Sequence, residues 1–386
     1  MAQRASIYLD HAATTPVDPR VVEAMSPYWT EVYGNPSSIH RYGQAAAAAL
    51  EHARRQVAEV LGCVPEEVVF TSCGSESDNL ALRGVAFAAR ASGKGNHLIV
   101  SPIEHHAVSH TALQLRDVFG FEVTFLPVDE YGRVNPDDVG RAIRDDTILI
   151  SVMYANNEIG TIQPIAEIGA LARRKGIPFH TDAVQAGGML DLDVNRLNVD
   201  LLALSAHKFY GPKGVGVLYV RRGTPLLPMQ TGGGHEQGLR AGTQNVPYIV
   251  GLATALRLAQ SEKDSLNPCL QALRDRLIMG VLETIPEARL TGHPSQRLPN
   301  HASFAIHGVT GQDLLVHLDM AGIAASSGSA CAVGNPEPSE VLLALGLPRE
   351  WALGALRLTV GRQTTEEAVA YTLDVLPGIV QRLRAL

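Results

Sequence analysis

The feature that most limits what this chain can fold into is an alternation that begins near residue 68. Short, continuous apolar runs at 68–71, 97–100, 121–128, 147–154, 177–180 and 199–204 are bounded by turn formers and read as strands. Between most of them lie stretches of helical period, at 73–92, 104–119, 135–144 and 164–175. Strands separated by helices of this length indicate a mainly parallel sheet covered by helices on both faces. Ligands bind such sheets at the carboxyl ends of the strands. The polar clusters of this chain fall at those ends.

Before the alternation, an alanine-rich helix is predicted over 44–61, closed by Gly62 and preceded by Ser38 as a candidate cap. After it the pattern changes. Helices are predicted over 247–260 and 264–284, followed by a stretch punctuated by Pro286, Pro294 and Pro299. At 386 residues the chain suits two domains, with the boundary near 260–265. A net charge of -7 argues against a nucleic-acid backbone as partner. No apolar run approaches the roughly 20 residues of a membrane helix. The opening Met1-Ala2-Gln3-Arg4-Ala5-Ser6 holds no apolar signal core, which points to the cytoplasm. Cys63, Cys73, Cys269 and Cys331 lie far apart with no CxxC pair, as expected in a reducing compartment without disulfides or structural zinc.

The stretch Ser205-Ala206-His207-Lys208-Phe209-Tyr210-Gly211-Pro212-Lys213-Gly214 is the chemical centre of the sequence. It follows a buried strand, and its turn reverses the chain into a second apolar run at 215–220. Partial desolvation lowers a lysine's pKa and frees its amine for nucleophilic work. Lys208 meets that condition better than Lys213, which sits in an exposed turn. Ser205 and His207 beside it suit an anion. Gly74 and Ser75 lie where a strand runs into a helix, a second place for an anion. The spacing there is neither that of a P-loop nor that of a dinucleotide fingerprint. Asp182, at a strand end with Gln185 three residues on, is a carboxylate in need of a cationic partner such as a protonated ring nitrogen, or else an Asx turn. His106 and His110 have a ligand-like spacing, but no HExxH pattern accompanies them, so no metal is expected. His105 suits a ring or substrate contact. Asn156 and Asn157 add two amides after a strand. Arg357, inside an apolar strand-like run, suits a carboxylate held bidentately. Ser326-Ser327-Gly328-Ser329-Ala330-Cys331 presents a thiol in a small-residue loop, where it is accessible for chemistry.

With these residues in hand, the chain resembles the cysteine desulfurases of the pyridoxal-phosphate-dependent class V aminotransferase superfamily, in the subgroup whose reactive cysteine follows SSGSAC. The resemblance is carried in order by YLDHAATTP, GNPSSIH, TSCGSESDN, EHHAV, NNEIG, HTDAVQ, SAHKFYGPKG, GGGHEQGLRAGT, SSGSAC, EPS and LRLTVGR, over nearly all 386 residues. It implies an α/β protein of the fold type I transferase class. A large domain at 16–262, with a mainly parallel sheet, binds the cofactor. A smaller α+β domain at 1–15 and 263–386 carries the cysteine loop. Lys208 matches the lysine that holds pyridoxal phosphate, Asp182 the partner of the ring nitrogen, Gln185 the ring-hydroxyl contact and His105 the imidazole stacked on the ring. Gly74, Ser75, Ser205 and His207 match the phosphate cup, and Thr243 a residue reaching the phosphate across a homodimer interface. Asn157 matches an asparagine near cofactor and substrate, Arg357 with Asn35 the substrate-carboxylate site, and Cys331 the cysteine that takes the sulfur.

The implied reaction converts L-cysteine to L-alanine and leaves a persulfide on Cys331, from which an acceptor protein takes sulfur for iron-sulfur clusters or other products. The alternative is a selenocysteine lyase or a related β-lyase. Two departures stand out. Cys73-Gly74-Ser75 replaces the frequent Gly-Ala-Thr, and the chain stops at Leu386 without the tail with which many members dock a scaffold.

Overall fold

The computed structural model describes residues 6–328 and 337–385. Twelve strands follow in chain order: β1 Ile7–Tyr8, β2 Val68–Thr71, β3 His97–Val100, β4 Glu122–Phe125, β5 Thr147–Ser151, β6 Phe179–Asp182, β7 Leu201–Ser205, β8 Gly216–Val220, β9 Ala288–Leu290, β10 His301–Ile306, β11 Ile323–Ala324 and β12 Ala355–Thr359. Seven of them form one sheet in the order β2-β8-β7-β6-β5-β3-β4. Pairing is parallel from β7 to β4, and β8 runs antiparallel to both β7 and β2. The reversal at Tyr210–Gly214 is the cause: a short turn joins only antiparallel neighbours.

The strands are apolar throughout because both faces of the sheet are covered. Successive residues go to opposite sides. Phe70, Ile99, Ile150, Phe179, Leu202 and Val217 meet the helices Arg41–Leu61, Ile165–Lys175 and the first half of Val246–Thr284. Val69, Leu98, Leu149, Leu201 and Leu218 meet the helices Gly74–Ala91 and His106–Asp117. A second core surrounds the three-stranded sheet β12-β10-β9, against Leu270, Leu277 and Val281 of the long helix and the helices Gly311–Met320 and Glu366–Arg384. β1 pairs with β11 beside it.

Several boundaries differ from the sequence expectation. The two helices expected at 247–260 and 264–284 are one helix, Val246–Thr284, with Pro268 inside it. Its first half packs on one core and its second half on the other, and this burial on both sides outweighs the backbone hydrogen bond that a proline removes. The strand expected at 121–128 is limited to β4, an edge strand whose residues are only partly buried. Ser38 does not cap Arg41–Leu61. His40 does, its Nδ1 accepting from Gly43 N at 3.3 Å. Cys73 caps Gly74–Ala91, its Sγ accepting from Glu76 N at 3.4 Å.

Candidate active site

A cavity of about 410 Å³ opens at the carboxyl ends of β6 and β7 and reaches Arg357 on β12. Lys208 ends a single helical turn that begins where β7 stops. Its Nζ donates to the carbonyl oxygens of Ala12 at 2.6 Å and Ala13 at 2.7 Å. Burial is the main reason that its pKa falls to about 8, with the Arg357 charge adding to the effect and Asp182 and Asp10 opposing it. An amine poised near 8 is partly unprotonated in neutral solution, as covalent chemistry on a carbonyl requires.

Asp182 ends β6 and is 5 % exposed. Burial, with the nearby Asp78 second, pushes its carboxyl up to about 7. Oδ1 accepts from Val184 N at 2.9 Å. This Asx turn fixes the carboxylate in the wall of the cavity. His105 precedes the helix His106–Asp117 as its cap, Nδ1 accepting from Ala107 N at 3.1 Å. Its ring lines the cavity, and desolvation lowers its pKa against the pull of Asp182. His106 and His110 instead stack on each other, with ring centroids 4.4 Å apart.

Gly74 and Ser75 begin the helix Gly74–Ala91, and Ser205 and His207 flank the cavity from β7. Gly74 admits no side chain without a shift: a Cβ there would stand 2.8 Å from Val184 Cγ2 and 3.4 Å from Ser205 Cβ. The His207 ring contacts Thr14 Oγ1 at 3.1 Å, and burial drops its pKa to about 4. Gln185 Nε2 donates to Ala12 O at 3.0 Å. Arg357 is 4 % exposed; one nitrogen pairs with Asp10 Oδ1 at 2.8 Å and another donates to Asn157 O at 2.7 Å. The guanidinium is thereby aimed from the second sheet into a site built mostly on the first.

These residues fit pyridoxal phosphate. A desolvated lysine faces the cavity, a helix start with an exposed backbone cradle suits a phosphate, and a buried carboxyl group awaits a cationic partner. Lys208, Asp182, His105, Gln185, Asn157, Gly74, Ser75, Ser205, His207 and Arg357 all line this one cavity. Thr243 and Asn35 do not line it in a single chain; both are exposed, and Asn35 Oδ1 accepts from Ser37 N at 2.9 Å. Cys331 lies outside the described residues; Ser326 and Gly328, five and three positions before it, line the cavity.

Sequence reasoning missed four residues. Asp10 holds Arg357, Asp78 lines the cavity, and Glu104 and His180 are buried. Asp78 carried a readable signal, since it falls three and four residues before Ala81 and Leu82 on the buried face of its helix. Asp10 carried none, because its partner is 347 positions away.

A lysine, a buried carboxylate and a helix start, gathered at the strand ends of a mainly parallel sheet, define a pyridoxal-phosphate enzyme of the fold type I class. Residues 7–371 match the family Aminotransferase class-V, and the chain belongs to it. Its place within that family is among the cysteine desulfurases. It is 54 % identical over 382 residues to the cysteine desulfurase IscS of Methanosarcina thermophila, covering 99 % of this chain and 94 % of that protein. It is 49 % identical to the cysteine desulfurase IscS of Dictyoglomus turgidum, covering 99 % and 96 %. Among solved structures, a NifS-like protein superimposes with a TM-score of 0.91 at 38 % identity, covering 98 % of this chain and 100 % of that one. SspA in complex with cysteine superimposes at 0.80 with 36 % identity, covering 92 % and 99 %.

Proposed function

We propose that this enzyme removes sulfur from L-cysteine through the residues gathered in the cavity, accepts it on Cys331 and passes it to an acceptor protein, in support of iron-sulfur cluster assembly. The observation that carries this reading is Lys208: a buried amine, its pKa lowered to about 8, facing Asp182 and Arg357 across one cavity. Pyridoxal phosphate, when bound, supplies the electron-withdrawing ring that takes up the charge left at the substrate's Cα. Arg357 binds the substrate carboxylate, preset by Asp10 and Asn157 O so that little orientation is lost on binding. Lys208 Nζ takes the proton from Cα. Asp182 would keep the ring nitrogen protonated, Gln185 would meet the ring hydroxyl, and Gly74, Ser75, Ser205 and His207 would hold the phosphate. The Cys331 thiolate then forms an S–S bond to the substrate sulfur as the Cβ–S bond breaks. The electron pair stays with Cβ, and a proton converts it to the methyl group of alanine.

A homodimer with Thr243 facing the partner's phosphate is part of the proposal. Exposed Trp29, Tyr33, Ile39 and Tyr42 on one stretch of chain support it, since apolar surface of this kind marks an interface. The two separate cores support a division into 16–262 and, as the smaller unit, 1–15 with 263–386. A cytoplasmic setting, reducing enough to keep Cys331 a thiol, completes the reading.

The experiment is incubation with L-cysteine, measuring alanine and protein-bound persulfide together in the native enzyme and in Cys331→Ser. Stoichiometric persulfide in the native enzyme, with loss of both products in the variant, is expected because a serine hydroxyl is a far weaker nucleophile than a thiolate. Undiminished alanine from Cys331→Ser would replace this mechanism with that of a β-lyase.

A further inference from the structure

The floor of the cavity holds more ionisable groups than that reaction uses. Asp78, on the helix Gly74–Ala91, and His180, on β6, are both fully enclosed. Asp182 follows two residues after His180 on the same strand, so the two side chains lean to the same face of the sheet. Polar atoms of Asp78, Asp182 and His105 lie within 4.8 Å of one another. Asp78 Oδ1 stands 3.4 Å from His180 Nε2, and His180 Nδ1 stands 2.9 Å from Ser151 Oγ. Neither Asp78 Oδ1 nor His180 Nε2 has a hydrogen-bond partner among the described residues. Two buried, unmatched polar atoms thus face each other beside a second carboxyl group. Two carboxyl groups this close in a low dielectric do not both ionise; the pair keeps a proton.

We propose that Asp78 keeps this proton and donates it in a hydrogen bond to His180 Nε2, so that Asp182 is left as the ionised carboxylate facing the cofactor's ring nitrogen. His180 is then fixed as the tautomer protonated at Nδ1 and donates to Ser151 Oγ. The inference rests on the reading of Asp182 as partner of the pyridoxal-phosphate ring. Asp78 acts through Asp182 and is a positioning residue. The other titratable groups around the pair are held neutral. Burial holds Asp78 well above the ordinary carboxylate range and His180 down at about 4, so neither gains charge near neutrality. Glu104, from the segment entering the helix His106–Asp117, is enclosed and raised in the same way, with Oε1 accepting from Met153 N at 2.7 Å. Desolvation keeps His105 neutral at the same junction. The positive charge coupled to Asp182 is that of Lys208, whereas burial alone acts on Asp78, and this favours ionisation of Asp182 over that of Asp78.

The test compares Asp78→Asn and Asp78→Leu in holoenzyme, reading the cofactor's affinity and the pH midpoint of its visible absorption. Asp78→Asn stays neutral and still offers an N–H to His180, so both readings should remain near those of the native enzyme. Asp78→Leu keeps the bulk and removes the donor. It should weaken cofactor binding about tenfold or more, the scale of one buried acceptor left without its partner, and move the midpoint. A shift of about one pH unit in Asp78→Asn would mean that Asp78 is ionised, and would overturn the proposal. Native behaviour in Asp78→Leu would overturn it too, because the hydrogen bond would then be idle. If Asp78→Leu does not fold, Asp78→Asn decides alone, since its midpoint either shifts or stays. Failure of the native protein to bind pyridoxal phosphate on Lys208 would instead refute the functional reading itself.

Discussion

The loop that carries Thr243 is held to the helix Arg41–Leu61 by the buried ion pair Arg54–Glu236, and removing half of that pair gives a quantitative test. Arg54 and Glu236 have side-chain exposures of 4 % and 1 %. They meet through two hydrogen bonds, at 2.8 and 2.9 Å. Glu236 Oε2 also accepts from Phe70 N at 2.9 Å, and Arg54 donates to Val68 O at 2.6 Å. At 2.8 Å the gross attraction is about 6 kcal/mol for an effective dielectric near 20, most of it offset by the cost of taking both ions out of water. Glu236→Gln keeps the shape and strands a buried guanidinium, which costs about 3–5 kcal/mol. Unfolding entropy of about 2.1 cal/mol/K per residue over 386 residues comes to about 0.8 kcal/mol/K. Calorimetry should therefore show Tm lower by about 4–6 °C. Arg54→Met combined with Glu236→Gln strands no charge, and should cost clearly less than the two single changes added together. A Tm for Glu236→Gln within about 1 °C of native, or a double variant equal to the sum of its parts, would show that the pair does not anchor this loop.

Four further outcomes follow from the site. Attachment of pyridoxal phosphate to the apoprotein should speed up as pH rises through about 8 and then level off, because the Lys208 pKa is depressed to about that value and the free amine exists only above it; a midpoint above about 9.5 would contradict the desolvation argument. The same depression means that the unfolded chain holds the lysine proton more tightly, so this group's contribution to stability rises from pH 8 towards 10.5. Arg357→Lys should raise KM for cysteine about tenfold or more while changing kcat less, since a point charge replaces a bidentate fork, and steady-state kinetics over a cysteine series would show it. Purified heterodimers of Thr243→Ala and Lys208→Ala chains should recover one intact site, hence about half of native activity per dimer if the sites act independently, whereas inactive heterodimers would place Thr243 in its own chain's site.

What the sequence disclosed follows a physical division. β2, β3 and β7 were legible to within a residue or two because strands buried on both faces are unbroken apolar runs. The lysine turn was legible because Gly211 and Pro212 announce the reversal beside it. Val246–Thr284 was read as two helices because Pro268 and the charged stretch around Lys263 and Asp264 look like an ending, and only packing against both cores overrides that local signal. Asp182, Lys208 and Arg357 each announced themselves by standing polar within apolar surroundings. Asp10 and His180 did not, for their importance lies in what they touch, and pairing across the fold leaves no mark on neighbouring sequence.

The Asp10–Arg357 contact, reaching from the first strand's end to the twelfth strand, has a consequence for how the enzyme comes into being. Leu9 and Thr359 are joined by backbone hydrogen bonding at 2.7 Å, and the Lys208 amine is held by carbonyls of Ala12 and Ala13. The proposed substrate clamp therefore does not exist in a chain still being synthesised until Arg357 has left the ribosome. A truncated product would keep the large sheet, Lys208 and Asp182 yet lack the clamp. Arrival of β12 at the strand end of β1 is the step that would complete the proposed clamp.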